Sequence, residues 1–207
     1  VASPGTVIDF HGMAPGTYTS DYPGVHIGYT YLAGLHKEQF VQAAQKAQAE
    51  GYDAYMIATI PDTGFEEARS VVDIPVVAFG NASVGYASQF GSCVGIVHFI
   101  PQLRDQIVRN MRNYGFGDLL GPVVQVDTVF HDIMGSYANP GPLIEAFERA
   151  ARKAIEGGAN VIVPGEGPLN IFLADQGVTR VDEVPVIDSL GSMVQLAEVR
   201  ANAHNRS

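Results

Sequence analysis

"GANVIVPGEGPLN" (158–170) reads as a buried strand that ends in a turn and then enters a helix. The run at 160–164 is mostly apolar and has no polar face, the pattern of a parallel strand covered on both sides. Glu166 follows at the carboxyl end of that strand, where α/β folds gather polar side chains and free helix N-termini. Flanked by Gly165, Gly167 and Pro168, its carboxylate has backbone N–H groups close by and little side-chain cover. Such a group suits general acid/base work. The plainer alternative makes it a capping carboxylate of the turn.

The first half of the chain has a segment of the same shape, "GYDAYMIATIPDTG" (51–64), with Thr59 where Glu166 would fall. Gly51, Asp53, Tyr55, Ile57 and Thr59 align with Gly158, Asn160, Ile162, Pro164 and Glu166 at one constant offset. After a slightly longer connection, "IPVVAFGNASVGYAS" matches "VPVIDSLGSMVQLAE". Short apolar runs at 6–10, 54–58, 75–79, 94–99, 122–129, 160–164 and 185–188 read as strands. Amphipathic stretches near 33–50, 64–72, 81–90, 102–114, 140–157, 168–176 and 190–204 read as helices. The expected fold is α/β, with two pseudo-symmetric lobes, each a parallel sheet flanked by helices, and a cleft between them. Thr59 and Glu166 are expected to face each other across that cleft.

The expected boundaries are 1–90 for the first lobe, completed by the C-terminal helix, 91–195 for the second, and 196–207 for that helix and tail. The second lobe opens with a strand and a helix before its strand at 122–129. The first opens directly at 6–10, so by symmetry an N-terminal strand and helix are expected to be missing from the given chain.

A formal net charge of −10 speaks against nucleic acid and anionic membrane surfaces as partners. With 46% hydrophobic and 16% charged residues the composition is that of a globular protein, and no apolar run approaches a membrane span. One cysteine, Cys93, gives no intrachain disulfide framework, and a cytoplasmic setting is expected. Cys93 itself reads as core filling.

Other residues at strand ends are candidates for chemistry. His11 and His131 follow matching strands, and each opens a loop rich in Gly, Pro, Tyr and Ser. The first loop (11–28) is long enough to be a binding loop, in which Tyr18, Tyr22 and His26 could line a ligand. His98 ends the strand "VGIVHF". With Glu166, the histidines His11, His98 and His131 would make a chemically suitable metal shell, although no short-range H-x-x-x-H pair supports one. Asn81 and Ser83 open the helix after the strand at 75–79, where each either serves the helix or touches substrate. Ile60, Gly165 and Gly167 complete the candidate substrate-binding set.

At these residues the chain resembles the aspartate/glutamate/hydantoin racemase superfamily, and within it the hydantoin and allantoin racemase branch. The similarity covers "YDAYMIATIPDTGFEEAR", "DIPVVAFGNAS", "GANVIVPGEG" and "VPVIDSLGSMVQLAE". The resemblance implies two α/β lobes, a ligand cleft between them and no cofactor. It also implies a cysteine after one strand of each lobe, the two working on opposite faces of a carbon acid. Carried onto this chain, the cysteine positions are Thr59, with Ala58, Asp62 and Gly64 retained, and Glu166, with Gly165 and Gly167 retained. Asn81 stands where the family commonly has an acidic residue, and His98 where it commonly has a hydroxyl side chain.

A threonine hydroxyl has no thiolate-like state near neutral pH, so a two-thiol mechanism is excluded. The expected function is therefore an isomerase-like proton transfer on a small carboxylate or cyclic amide. Glu166 is its acid/base, Thr59 polarises the substrate, and His11 and His131 are further catalytic candidates. Two alternatives stand beside it: a hydrolase or decarboxylase, metal-assisted through His11, His98 and His131, and a non-catalytic small-molecule binder. An assembly of identical chains is expected.

Overall fold

The computed structural model describes residues 2–20 and 22–206 and, of Val25, the backbone. Val1 and Ser207, which bound the expected domains, and Asp21 of the 11–28 loop lie outside the described residues. In chain order the elements of the first half are α1 (Gly24–Ile27), α2 (Thr30–Ala49), β1 (Tyr55–Ile57), α3 (Phe65–Arg69), β2 (Val76–Ala78) and α4 (Phe79–Ala87). The second half has β3 (Val94–His98), α5 (Arg104–Asn113), β4 (Leu120–Gln125), α6 (Phe130–Gly135), α7 (Gly141–Glu156), β5 (Val161–Pro164) and α8 (Gly167–Asp175). It ends with β6 (Arg180–Val181), β7 (Val184–Pro185) and α9 (Ser189–His204). Short 3-10 turns at Pro101–Leu103 and Ser136–Ala138 lead into α5 and follow α6.

The sheets are parallel where the apolar runs required it. β1 pairs with β2, Met56 opposite Val77. β3 lies between β4 and β5, with Ile96 opposite Val123 on one side and Val163 on the other. A parallel bridge from Ile162 to Val186 carries that sheet one strand position further. β6 and β7 form a small antiparallel pair. β3 is buried along its whole length. Its Gly95 is required by α7 and the turn after it, because a Cβ there would lie 2.8 Å from the Ala159 Cβ and 3.0 Å from the Ala154 Cβ. α7 presents Leu143, Phe147, Ala150, Ala151 and Ala154 to the sheet, a stripe at helical spacing.

The expected strand at 6–10 does not form. Thr6–Phe10 belongs to no sheet, and Val7 and Phe10 are 81% and 93% exposed. The physical reason lies in the pairing. Its counterpart β4 owes its ladder to β3, and among the described residues the first half has no strand in that position. A β-branched run without a neighbour gains no ladder hydrogen bonds and no covered face. The segment is held by polar contacts instead: the Ser3 N–H and hydroxyl and the Thr6 hydroxyl donate to the Glu198 carboxylate. Further along, Asp9 accepts from the Tyr52 hydroxyl.

The halves share a device in which a polar side chain that follows a strand is tied to the start of a later helix. In the first, Asp62 reaches from the loop after β1 to accept the N–H groups of Gly80 (2.7 Å) and Asn81 (2.9 Å) at the start of α4. In the second, Asn170 accepts the Ser189 N–H (2.6 Å), and Asp188, held by the Asn170 amide, accepts that of Gly191 (3.0 Å). Each side chain satisfies helix N-terminal donors that would otherwise be orphaned. The larger core runs through both halves, from Ile60, Val77 and Phe79 to Ile96, Val163 and Phe172. A smaller one, built on Ala44, Ile57, Phe65 and Ala68, lies under α2 and α3.

Candidate active site

Glu166 stands just beyond β5, because the Gly165 N–H still pairs with Val97 O (2.8 Å) and the chain leaves the sheet only after it. It occupies the capping position of α8 in extended conformation, yet its side chain makes no capping bond. The carboxylate crosses instead to the end of β3. Phe99 N–H is shared between Oε1 (3.1 Å) and Oε2 (3.0 Å), and Ile100 N–H donates to Oε1 (3.1 Å). Oε1 thus takes both amides, while Oε2 holds half of one and keeps more free lone-pair capacity. The residue is 2% exposed. Burial pushes its pKa up to about 8, against the pull of the Ile100 and Phe99 amides.

His98 is a titratable neighbour, its Nδ1 4.0 Å from Glu166 Oε1. That nitrogen is 3.1 Å from Ile100 O, and a carbonyl can only accept, so Nδ1 carries the proton and Nε2 is bare. Nε2 is buried without a hydrogen-bond partner. Burial holds the His98 pKa below its usual value, the Ile100 contact opposing and the Arg104 charge assisting. Tyr22 closes the group. Its ring stacks on Phe130 and lies 6.1 Å from that of Phe99. Burial and then the Glu166 charge keep its hydroxyl protonated.

Thr59 lies just beyond the end of β1. It is half-buried, its carbonyl accepts the Asp62 N–H (2.9 Å), and its hydroxyl is buried with no partner. Ile60 beside it is core. Asp62, with φ +50°, is 4% exposed. Burial raises its pKa to about 7, opposed by the Gly80 and Asn81 amides and by the Tyr114 hydroxyl that donates to it.

The remaining candidates are dispersed. α4 begins at Phe79, two residues before the expected Asn81, which is half-buried with its N–H on Asp62. Ser83 is buried, and its hydroxyl is spent on Phe79 O (2.6 Å). Gly165 packs against His98, and Gly167 opens α8. Tyr18 meets the rings of His26 and His36. His11 is exposed, with its ring edge-on to Tyr52, and no strand precedes it. His131 is exposed and lies within α6 instead of opening a loop, because β4 ends at Gln125. His11, His98 and His131 are therefore not gathered as a metal shell: among the described residues no three His, Cys, Asp or Glu are grouped to hold an ion.

Sequence reasoning gave no role to Phe130 or to the Asp188–Asn170 pair, and treated Asp62 as part of a pattern only. The left-handed backbone at Asp62 leaves no trace in one sequence. Phe130, adjacent to a candidate histidine, could have been weighed as an aromatic wall.

The family model for Asp/Glu/Hydantoin racemase matches residues 28–197. A hydantoin racemase of Pseudomonas sp. (strain NS671) is 28% identical over 159 residues, 76% of this chain and 62% of that protein. One from Rhizobium meliloti is 27% identical over 164 residues, covering 77% and 64%. The chain thus spans less than two thirds of the length of these relatives. Among solved structures, allantoin racemase from Klebsiella pneumoniae is similar in fold, with a TM-score of 0.72, 21% identity, and 84% of this chain and 69% of that one covered.

Proposed function

Because this chain belongs to the Asp/Glu/Hydantoin racemase family, we propose that it is an enzyme moving a proton at an acidic carbon, with Glu166 as the single acid/base. The substrate class is a small carboxylate or a cyclic amide of the hydantoin type. The observation that carries the reading is the Glu166 carboxyl itself. It is buried at a strand end, oriented by two backbone amides, and pushed to about 8. A base of that strength is better matched to a carbon acid than an ordinary carboxylate, and its conjugate acid persists at neutral pH to return the proton.

The division of labour follows from the atoms. Oε2 exchanges the proton, because Oε1 is occupied by two donors. Thr59, which the family resemblance puts at the other cysteine position, offers an unpartnered hydroxyl to polarise the substrate carbonyl. Neutral His98 offers a bare Nε2 to a substrate N–H. With one acid/base the natural outcome is proton exchange from one face, and inversion requires the carbanion to be reprotonated from the other.

The test is hydrogen–deuterium exchange at C5 of a 5-substituted hydantoin in D2O, followed by NMR beside optical rotation. Exchange that depends on Glu166 supports the reading. Catalysed exchange that persists at full rate in Glu166→Gln refutes it.

A further inference from the structure

A recess of about 380 Å3 opens between α2, the loop after β1 and α5, and neither Glu166 nor Thr59 lines it. We propose that it is a second binding site, for a small neutral molecule with an amide or urea group. Its volume is at the lower end of the roughly 300–1,000 Å3 of small-molecule sites.

Two of its lining side chains carry buried atoms without hydrogen-bond partners: the Thr63 hydroxyl, on a residue 7% exposed, and the Gln106 side-chain carbonyl oxygen. A native interior rarely leaves such atoms unsatisfied, since each costs the desolvation of a polar group. Several of the other polar walls are already engaged. Asn110 donates to Pro61 O (2.8 Å), and the Asp62 carboxylate takes two amides and the Tyr114 hydroxyl. Lys37 is paired with Glu67.

These two atoms define the ligand. Gln106 Oε1 can only accept, so the ligand must present an N–H. Thr63 can donate, so a carbonyl beside that N–H completes the pair. Lys37 is offset by Glu67, Glu66 is paired with Arg69, and among the described residues no other Lys or Arg lines the recess, so an anion is not favoured. A primary amide or a urea has the required donor and acceptor and no charge.

The proposal is independent of the acid/base role of Glu166, and ethylurea tests it as a probe. It is titrated into the full 207-residue chain while the Gln106 side-chain amide and the backbone amides of residues 61–67 are followed by NMR. Saturable shifts at these signals are expected, with dissociation constants of about millimolar for so small a ligand. Gln106→Leu and the near-isosteric Thr63→Val should each weaken binding about tenfold. Either variant suffices if the other does not fold. Glu166→Gln should bind ethylurea as the parent does, and propionate should not compete.

Four results would overturn the site: no saturable shift, shifts confined to the surroundings of Glu166, parental affinity in both recess variants, or propionate binding as tightly as ethylurea. Absent ethylurea binding in a chain that still exchanges substrate protons removes the recess alone. Lost exchange with ethylurea binding intact removes the Glu166 reading alone.

Discussion

The ring of Tyr22 lies parallel to that of Phe130, with an interplanar angle of 3° and centroids 4.0 Å apart. Tyr22 comes from the long 11–28 segment and Phe130 opens α6, so residues far apart in sequence form one aromatic cover beside the buried carboxyl of Glu166. Removing that cover should let water in. Tyr22→Ala is expected to bring the Glu166 pKa down from about 8 toward the ordinary carboxylate range, because burial is its leading cause. Tyr22→Phe keeps the ring and should leave it high. Carbon-detected NMR titration of the Glu166 side chain reads this directly, and an unshifted Glu166 in Tyr22→Ala would contradict it.

Glu166→Gln keeps shape but removes the basic oxygen, and should slow proton exchange about 10²–10⁴-fold. The parent rate should rise with pH and level off above about 8, as the carboxylate form becomes populated. A flat profile in the parent, or a residual rate in the variant with the same inflection, would place the base elsewhere.

Stability should move the opposite way. Glu166 and Asp62 hold protons up to about pH 8 and 7 in the folded chain, against ordinary values of 4.5 and 3.8. Between those limits the unfolded chain has released protons that the folded chain retains. Their contribution is complete below about pH 4 and is lost as pH rises through the folded pKa values. Unfolding free energies from urea titrations should accordingly fall from pH 5 to pH 8, by up to about 1.4 kcal/mol per pH unit for each of the two groups. Glu166→Gln should flatten the decline. Glu67 and Glu198, whose pKa values are lowered, add stability with rising pH only at the acid end and do not mask it.

How much of this was legible in the sequence differs from element to element. β5 and the turn into α8 could be read from 160–170 because an apolar run followed by Gly-Glu-Gly-Pro leaves little choice of backbone. The run at 6–10 has the same local character and failed, since a strand is completed by its neighbour and not by its own residues. At the site, the position of Glu166 followed from the repeat. Its partners did not. Phe99 and Ile100 contribute backbone N–H groups, which no side-chain pattern encodes, and Tyr22 reaches Phe130 only through tertiary packing.

The contact between α7 and β3 gives a prediction about packing alone. Gly95→Ala should cost about 1–3 kcal/mol, because its Cβ would press on Ala154, Ala159 and Ile162 at 3.0 Å or less. Gly141→Ala, at the start of the same helix with open space around it, should be neutral or slightly stabilising. Paired thermal melts compare the two, and equal costs would show that α7 yields readily.

The paired loop latches reverse an ordinary expectation about solvent isotope uptake. First-turn amides of a helix usually have no acceptor and exchange their hydrogens fast. In α4 those of Gly80 and Asn81 are tied to Asp62 from the loop after β1, and in α9 those of Ser189 and Gly191 are tied to Asn170 of α8 and to the capping Asp188 that Asn170 holds. Deuterium should therefore enter Gly80 and Asn81 only when the Asp62 loop detaches, and Ser189 and Gly191 only when the Asn170–Asp188 pair lets go of the head of α9. The slow amides at the heads of two helices become reporters of how often the mouth of each sheet comes open.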